Sequence, residues 1–197
     1  MLGKAHLTIG MAAAWTLAMP ETVPAALPVI AGAAAGSLIC DIDCDSPAER
    51  RDASKQRVLA AVITAAALIT DKLTDAGMWR NIAESSSYLW CAGVAGLVIT
   101  VAFANVAAHR GFSHSLIALL LETGFLYLIF PQCAKPFAIA FITHILLDMT
   151  NKKRVRLFYP AKKGVSLGLF YADRMANRVC EIAGAAWLIL VIWASLH

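Results

Sequence analysis

Four segments of this 197-residue chain carry imidazole or carboxylate groups where apolar sequence begins or ends. His6 lies near the start of the first apolar stretch. Asp41-x-Asp43-x-Asp45 closes the second, and His144-x-x-x-Asp148 closes a later one. Between them stands His109-Arg110-Gly111-Phe112-Ser113-His114-Ser115. Neutral imidazole with carboxylate and no thiolate is a ligand set for zinc, with manganese or iron as alternatives. The pool exceeds what one tetrahedral ion needs, so one or two ions fit it.

The spacings specify more. His144 and Asp148, four apart, share one helical face, so one helix offers a nitrogen and an oxygen together. Asp148 could equally orient the His144 ring or cap it without metal. The alternating aspartates suit a cation in a turning segment. They do not make an EF-hand, because Ser46 stands where that loop needs glycine and Asp52 where it needs a bidentate glutamate. In the turn, Gly111 permits a tight bend, Ser113 can cap the next helix, and the Arg110 fork matches phosphate or carboxylate. The candidate ligands are His6, Asp41, Asp43, His109, His144 and Asp148. His114 is a ligand or a general acid/base, with Asp43 as its catalytic companion. Arg110, Ser113 and Ser115 are candidate substrate contacts. Glu122 reads as a buried carboxyl bonded to a neighbouring helix. Glu181 could join the site or pair with Arg178, and His197 falls on the opposite side.

The elements that position these groups are membrane helices. The chain is 59% hydrophobic and 15% charged, with mean hydropathy +0.67. A soluble domain usually carries about a quarter charged residues. Residues 5–19, 25–40, 57–70, 87–108, 112–130, 136–149 and 178–196 read as seven spans, near the length that crosses hydrocarbon. Turns at 20–24 and 131–135 and polar segments at 41–56, 71–86 and 150–177 separate them. The first stretch lacks a clear cleavage site and carries His6, so it is expected to stay as a membrane helix. Fourteen of the seventeen Lys and Arg then share one side, and only Lys72, Arg80 and Lys135 lie on the other. That bias places the N-terminus in the cytoplasm and the histidine–aspartate groups on the cytoplasmic face. The expectation is an all-α integral membrane protein, a bundle of about seven transmembrane helices forming one domain, 1–197. Five unpaired-looking cysteines give no disulfide or thiolate frame, and no aromatic-rich basic tract points to nucleic acid.

The Met1…His6 start, Asp41-x-Asp43, the His109–Ser115 block, and His144-x-x-x-Asp148 followed by Val155-x-Leu157-x-Tyr159-Pro160 resemble the YdjM-like family. These are small bacterial and archaeal proteins regarded as membrane-bound metal-dependent hydrolases. The resemblance runs in order from Met1 to about Phe170. Arg154 stands where relatives carry glycine, and Asp45 is an addition. The resemblance implies a hydrolase of the cell inner membrane with a place in lipid metabolism. A metal at this interface would lower the pKa of bound water toward ~7. Arg110 and the cationic loop from Lys152 to Lys163 would hold an anionic head group. The expected substrate is a lipid ester, a phosphoester ahead of an acyl ester or amide. The competing readings are a metal or ion transporter, against which the one-sided polar groups and missing repeat speak, and a non-enzymatic pH-sensing membrane protein.

Overall fold

The computed structural model describes residues 3–43, 47–84, 86–108, 110–169, 171 and 174–196. Eight α-helices account for most of them: α1 (Gly3–Ala18), α2 (Val23–Leu38), α3 (Pro47–Thr74), α4 (Met78–Glu84), α5 (Ser87–Val106), α6 (Leu116–Ile129), α7 (Pro131–Thr150) and α8 (Arg174–Leu196). Among the described residues the extended pairing is a single bridge, Val155 to Val165. Four segments are long and apolar enough to cross a membrane: Val23–Asp43, Ser87–Val106, Pro131–Thr150 and Met175–Ser195. Leu116–Ile129 is apolar but shorter.

Three boundaries differ from the sequence reading. The polar connector at 41–56 is only partly a connector, because α3 begins at Pro47 and runs unbroken through the charged residues into 57–70. Lys, Arg and Glu are good helix formers, so charge alone does not end a helix. The expected turn at 131–135 is the first turn of α7, since Pro131 occupies a position where its missing N–H costs nothing. The connector at 71–86 contains α4, whose first amides, Met78 N and Trp79 N, donate to the buried carboxylate of Asp71 at 3.1 and 3.3 Å.

The bundle is organised around α2 and α7. Gly32-Ala-Ala-Ala-Gly36 puts small residues on one face of α2, the pattern that lets helices touch backbone to backbone in an apolar solvent. A Cβ at Gly32 would lie 2.3 Å from the Cys133 carbonyl oxygen, and one at Gly36 2.2 Å from that of Phe137. Helix α1 packs on both, and α8 lies along α1, joined by Trp15 Nε1 donating to Ser195 Oγ at 2.9 Å. Helix α5 packs on α6, and α3 on α2. Leu, Val, Ile and Trp side chains cover the outer faces of α3, α5 and α8. Cys40 and Cys133 are buried among apolar neighbours, as small fillers would be, while Cys91 is exposed.

Two short 3-10 turns and one loop finish the end of the bundle that carries the polar groups. Helix α2 tightens into Ile39–Asp43, which buries Asp41 and Asp43 and leaves Ile42 only partly covered between them. Phe112–His114 forms the second turn before α6. Residues 151–169 lie across this end. Arg156 N donates to Arg110 O, and Leu116 N to Leu157 O, both at 3.0 Å, while Val155 is wholly buried.

Candidate metal centre

The site grows from the ends of four elements. His6 sits on the second turn of α1, whose small and apolar neighbours let it sink to zero exposure between α2 and α7. His144 and Asp148, one turn apart on α7, are also buried. The 3-10 turn after α2 supplies Asp41 and Asp43, and the turn before α6 supplies Arg110, Ser113 and His114. All eight of these side chains are buried. His109 lies outside the described residues, as do Cys44 and Asp45.

The imidazoles converge. The His6 and His144 rings stack with centroids 3.7 Å apart, and His114 meets His144 edge-on at 5.3 Å. His6 Nε2 is 3.5 Å from Asp148 Oδ1, and His114 Nε2 is 3.4 Å from Asp148 Oδ2. His144 Nε2 faces Asp41 Oδ1 at 3.5 Å. Two ligand triples result, His6–Asp41–His144 and His114–His144–Asp148, each with its donor atoms within 4.8 Å of one another.

Hydrogen bonds fix the ring tautomers. His144 Nδ1 lies 2.6 Å from the carbonyl oxygen of Ser37, an acceptor only, so Nδ1 carries the proton and Nε2 the lone pair. At His114, Ser113 Oγ donates to Asp43 Oδ2 and therefore accepts from His114 Nδ1 at 2.8 Å. Again Nε2 is left facing the centre. Tying one imidazole nitrogen to a carbonyl or carboxylate relay is how metal-ligating histidines are oriented. His144 has one lone pair, and both triples use it. The triples are therefore alternative groupings around one ion rather than two complete sites.

The residues fit a divalent cation. Neither His6 nitrogen nor His144 Nε2 makes a hydrogen bond among the described residues, although all three atoms are buried. Unsatisfied buried polar atoms cost roughly 1–3 kcal/mol each, so three in one cluster point to a missing partner. Charge argues the same way. With neutral imidazoles, the carboxylates of Asp41, Asp43 and Asp148 face one guanidinium, that of Arg110. Protonation of His114 meets part of this imbalance. Burial alone would lower its pKa, but hydrogen bonding to Asp148 and Asp43 outweighs burial and pushes it up to about 9. A cation at His114 Nε2 would compete with that proton.

The sequence assigned Arg110, Ser113 and Ser115 to substrate, and the structure gives each a holding role. Arg110 adopts φ +57°. Its N–H donates to Asp43 at 2.9 Å, Nη2 meets Asp148 Oδ2 at 2.9 Å, and Nη1 donates to the Lys153 carbonyl at 2.9 Å. Both terminal nitrogens of its fork are held by the protein, while the buried Nε makes no hydrogen bond among the described residues. Ser113 carries the relay to Asp43, and Ser115 caps α6 by accepting from Ala118 N at 3.2 Å. The Ser37 carbonyl was invisible to side-chain reasoning. Glu122 is buried in the apolar core, but its Oε2 makes no hydrogen bond among the described residues.

The sequence pattern of the YdjM inner membrane protein family matches residues 1–197, the whole chain. No curated protein and no solved structure matches it. The chain belongs to the YdjM inner membrane protein family.

Proposed function

We propose that the protein is a multi-pass membrane enzyme that uses one divalent cation, zinc first, to hydrolyse a lipid or lipid-linked ester at the cytoplasmic face, a phosphoester ahead of an acyl ester. The observation that carries the reading is the cluster of buried, unbonded imidazole nitrogens of His6 and His144 beside Asp41 and Asp148. Seven helices of fourteen residues or more are consistent with seven spans. The bias of Lys and Arg supports a cytoplasmic N-terminus and site.

His6, Asp41, His144 and Asp148 would hold the ion, with His114 Nε2 completing the set or standing beside it. Bound there, a divalent cation supplies Lewis acidity to an ester or phosphoryl oxygen and acidifies water. The protein's own groups do the rest. Asp43, through Ser113, keeps the Nδ1 proton of His114 in place, so that Nε2 is the atom that gives or takes a proton at the reacting centre. Arg110 fixes Asp148 and, through its backbone, Asp43. The 151–169 loop lies over this end and presents Lys152, Lys153 and Arg154 outward, where an anionic head group would meet them.

Metal analysis of detergent-purified protein tests the binding. A stoichiometry near one ion per chain, lost in His144→Ala, is expected. Metal-free wild type with unchanged content in the variant would remove the basis of the proposal. Hydrolysis is then read as release of head group or fatty acid from defined phospholipids. The complete burial of His6, His114 and His144 also suits an ion retained for structure. Tightly bound metal with no turnover of any phospholipid class would favour that second reading.

A further inference from the structure

One concavity in the molecule lies outside the centre yet touches the turn that supplies two of its carboxylates. It is an open groove of about 530 Å³ between the start of α3 and the site-side half of α5. Leu97, Val98, Val101 and Ala102 form its wall, with Asn105 one turn further on. Residues 97, 101 and 105, with 98 and 102, follow four-residue spacing, so they make one continuous stripe along α5. The stripe runs about 12 Å at 1.5 Å per residue. Arg57 of α3 and Ile42 complete the lining. Ile42 is the residue between Asp41 and Asp43.

The lining is amphiphilic in an ordered way. The wall is hydrocarbon. The polar end holds the Asn105 amide and the Arg57 guanidinium, whose Nη1 only just reaches the Ile42 carbonyl at 3.5 Å. No carboxylate lines the groove, and Arg57 makes no ion pair among the described residues. A guanidinium with no ion-pair partner among the described residues, at the mouth of an apolar channel, is complementary to a phosphate that carries a hydrocarbon tail.

We propose that this groove binds one acyl chain of an anionic phospholipid, with its phosphate on Arg57 and its ester beside the Asp41–Asp43 turn. The inference rests on the hydrolase reading for its purpose, since it names the substrate class and its route of approach. The binding itself needs no metal and no turnover. Apolar surface on α5 selects the tail, and Arg57 selects charge. A zwitterionic lipid offers the same tail, but its ammonium offsets its phosphate.

Native mass spectrometry of the full chain in detergent, titrated with dioleoyl phosphatidylglycerol or dioleoyl phosphatidylcholine, tests it. Wild type should retain phosphatidylglycerol about tenfold more tightly than phosphatidylcholine. Arg57→Gln should abolish that preference, and Arg57→Lys should restore part of it. The loop lysines that attract the same head group are unchanged in both variants, so the difference reads Arg57 alone. Val101→Trp, which fills the groove at a lipid-facing position, should lower retention of both lipids at least fivefold with an unaltered size-exclusion profile. Equal retention of the two lipids by wild type would overturn the proposal. So would full retention by Val101→Trp, or a wild-type dimer that Val101→Trp dissociates. Metal content, measured on the same samples, keeps the two ideas apart. Wild type that carries metal but shows no lipid selectivity refutes the groove, and wild type that is selective but carries no metal refutes the hydrolase.

Discussion

Asp148 and Arg110 form the shortest ion pair among the described residues, and Asp148→Asn measures what it contributes. The pair is 2.9 Å long, with side chains 2% and 8% exposed. Asparagine keeps the volume and an acceptor oxygen but removes the charge. What remains is a buried guanidinium held by the Lys153 carbonyl alone among its strong contacts. Removing one partner of a buried pair costs about 3–5 kcal/mol. For a chain of this length each kcal/mol moves the melting temperature by roughly 2–4 °C, so a drop of about 6–20 °C is expected. Thermal unfolding should be followed in detergent with a chelator present, so that bound metal contributes nothing to the difference. Arg110→Met alone should also destabilise, because among the described residues it leaves the Asp148 carboxylate with imidazole neighbours only. The losses of the two single variants should not add: the double variant should fall short of their sum by a coupling of about 2 kcal/mol, within the range seen for contacting residues. A single variant that melts within about 2 °C of wild type, or a double variant whose losses simply add, would refute the clamp.

Three further outcomes are expected. Ser113→Ala breaks the relay between His114 Nδ1 and Asp43 and should weaken zinc binding about 10–100-fold in competition with a chromophoric chelator; unchanged affinity would mean the hydroxyl orients nothing. Gly36→Ala drives a methyl into the Phe137 carbonyl, should cost about 1–3 kcal/mol, and should lower metal content as His144 shifts from Ser37. Gly124→Ala, with nothing within 4 Å, should do neither, and equal behaviour of the two would undo the argument. In the metal-free protein the His114 pKa is raised from 6.5 to about 9. The stability that His114 contributes is therefore present below pH 6.5 and lost as pH climbs through 9. Melting temperature should fall across that window in chelator, and His114→Gln should flatten the fall; an equal slope in the variant would contradict it.

The histidine–aspartate centre was largely legible because its members sit where apolar sequence ends. A buried ionisable group has few explanations in such a chain, and the four-residue spacing of His144 and Asp148 already placed them on one face. The described members, His6, Asp41, Asp43, Ser113, His114, His144 and Asp148, do come together. Arg110 was harder to read. A guanidinium beside glycine and serine matches phosphate as well as it matches an internal carboxylate, and only the fold says which is near. The Ser37 carbonyl left no trace in residue type, since every residue has one. Helix ends were misjudged at Pro47 and Pro131, where proline opens a helix instead of breaking one. Charge also masked the start of α3, because charged side chains do not interrupt a helical backbone.

Gly32 and Gly36 bear on the protein's tolerance of change. Between lipid-embedded helices no hydrophobic force draws surfaces together, so separation is set by the bulk of what lies between them. Here nothing lies between: carbonyl oxygens of α7 occupy the space a methyl would need. The Ser37–His144 bond, one residue beyond, is thus measured off backbone against backbone. These two chemically inert positions act as the gauge for the histidine–aspartate end. Sequence drift should be freer at the exposed cations of the covering loop than at these glycines, which touch no ion and no substrate.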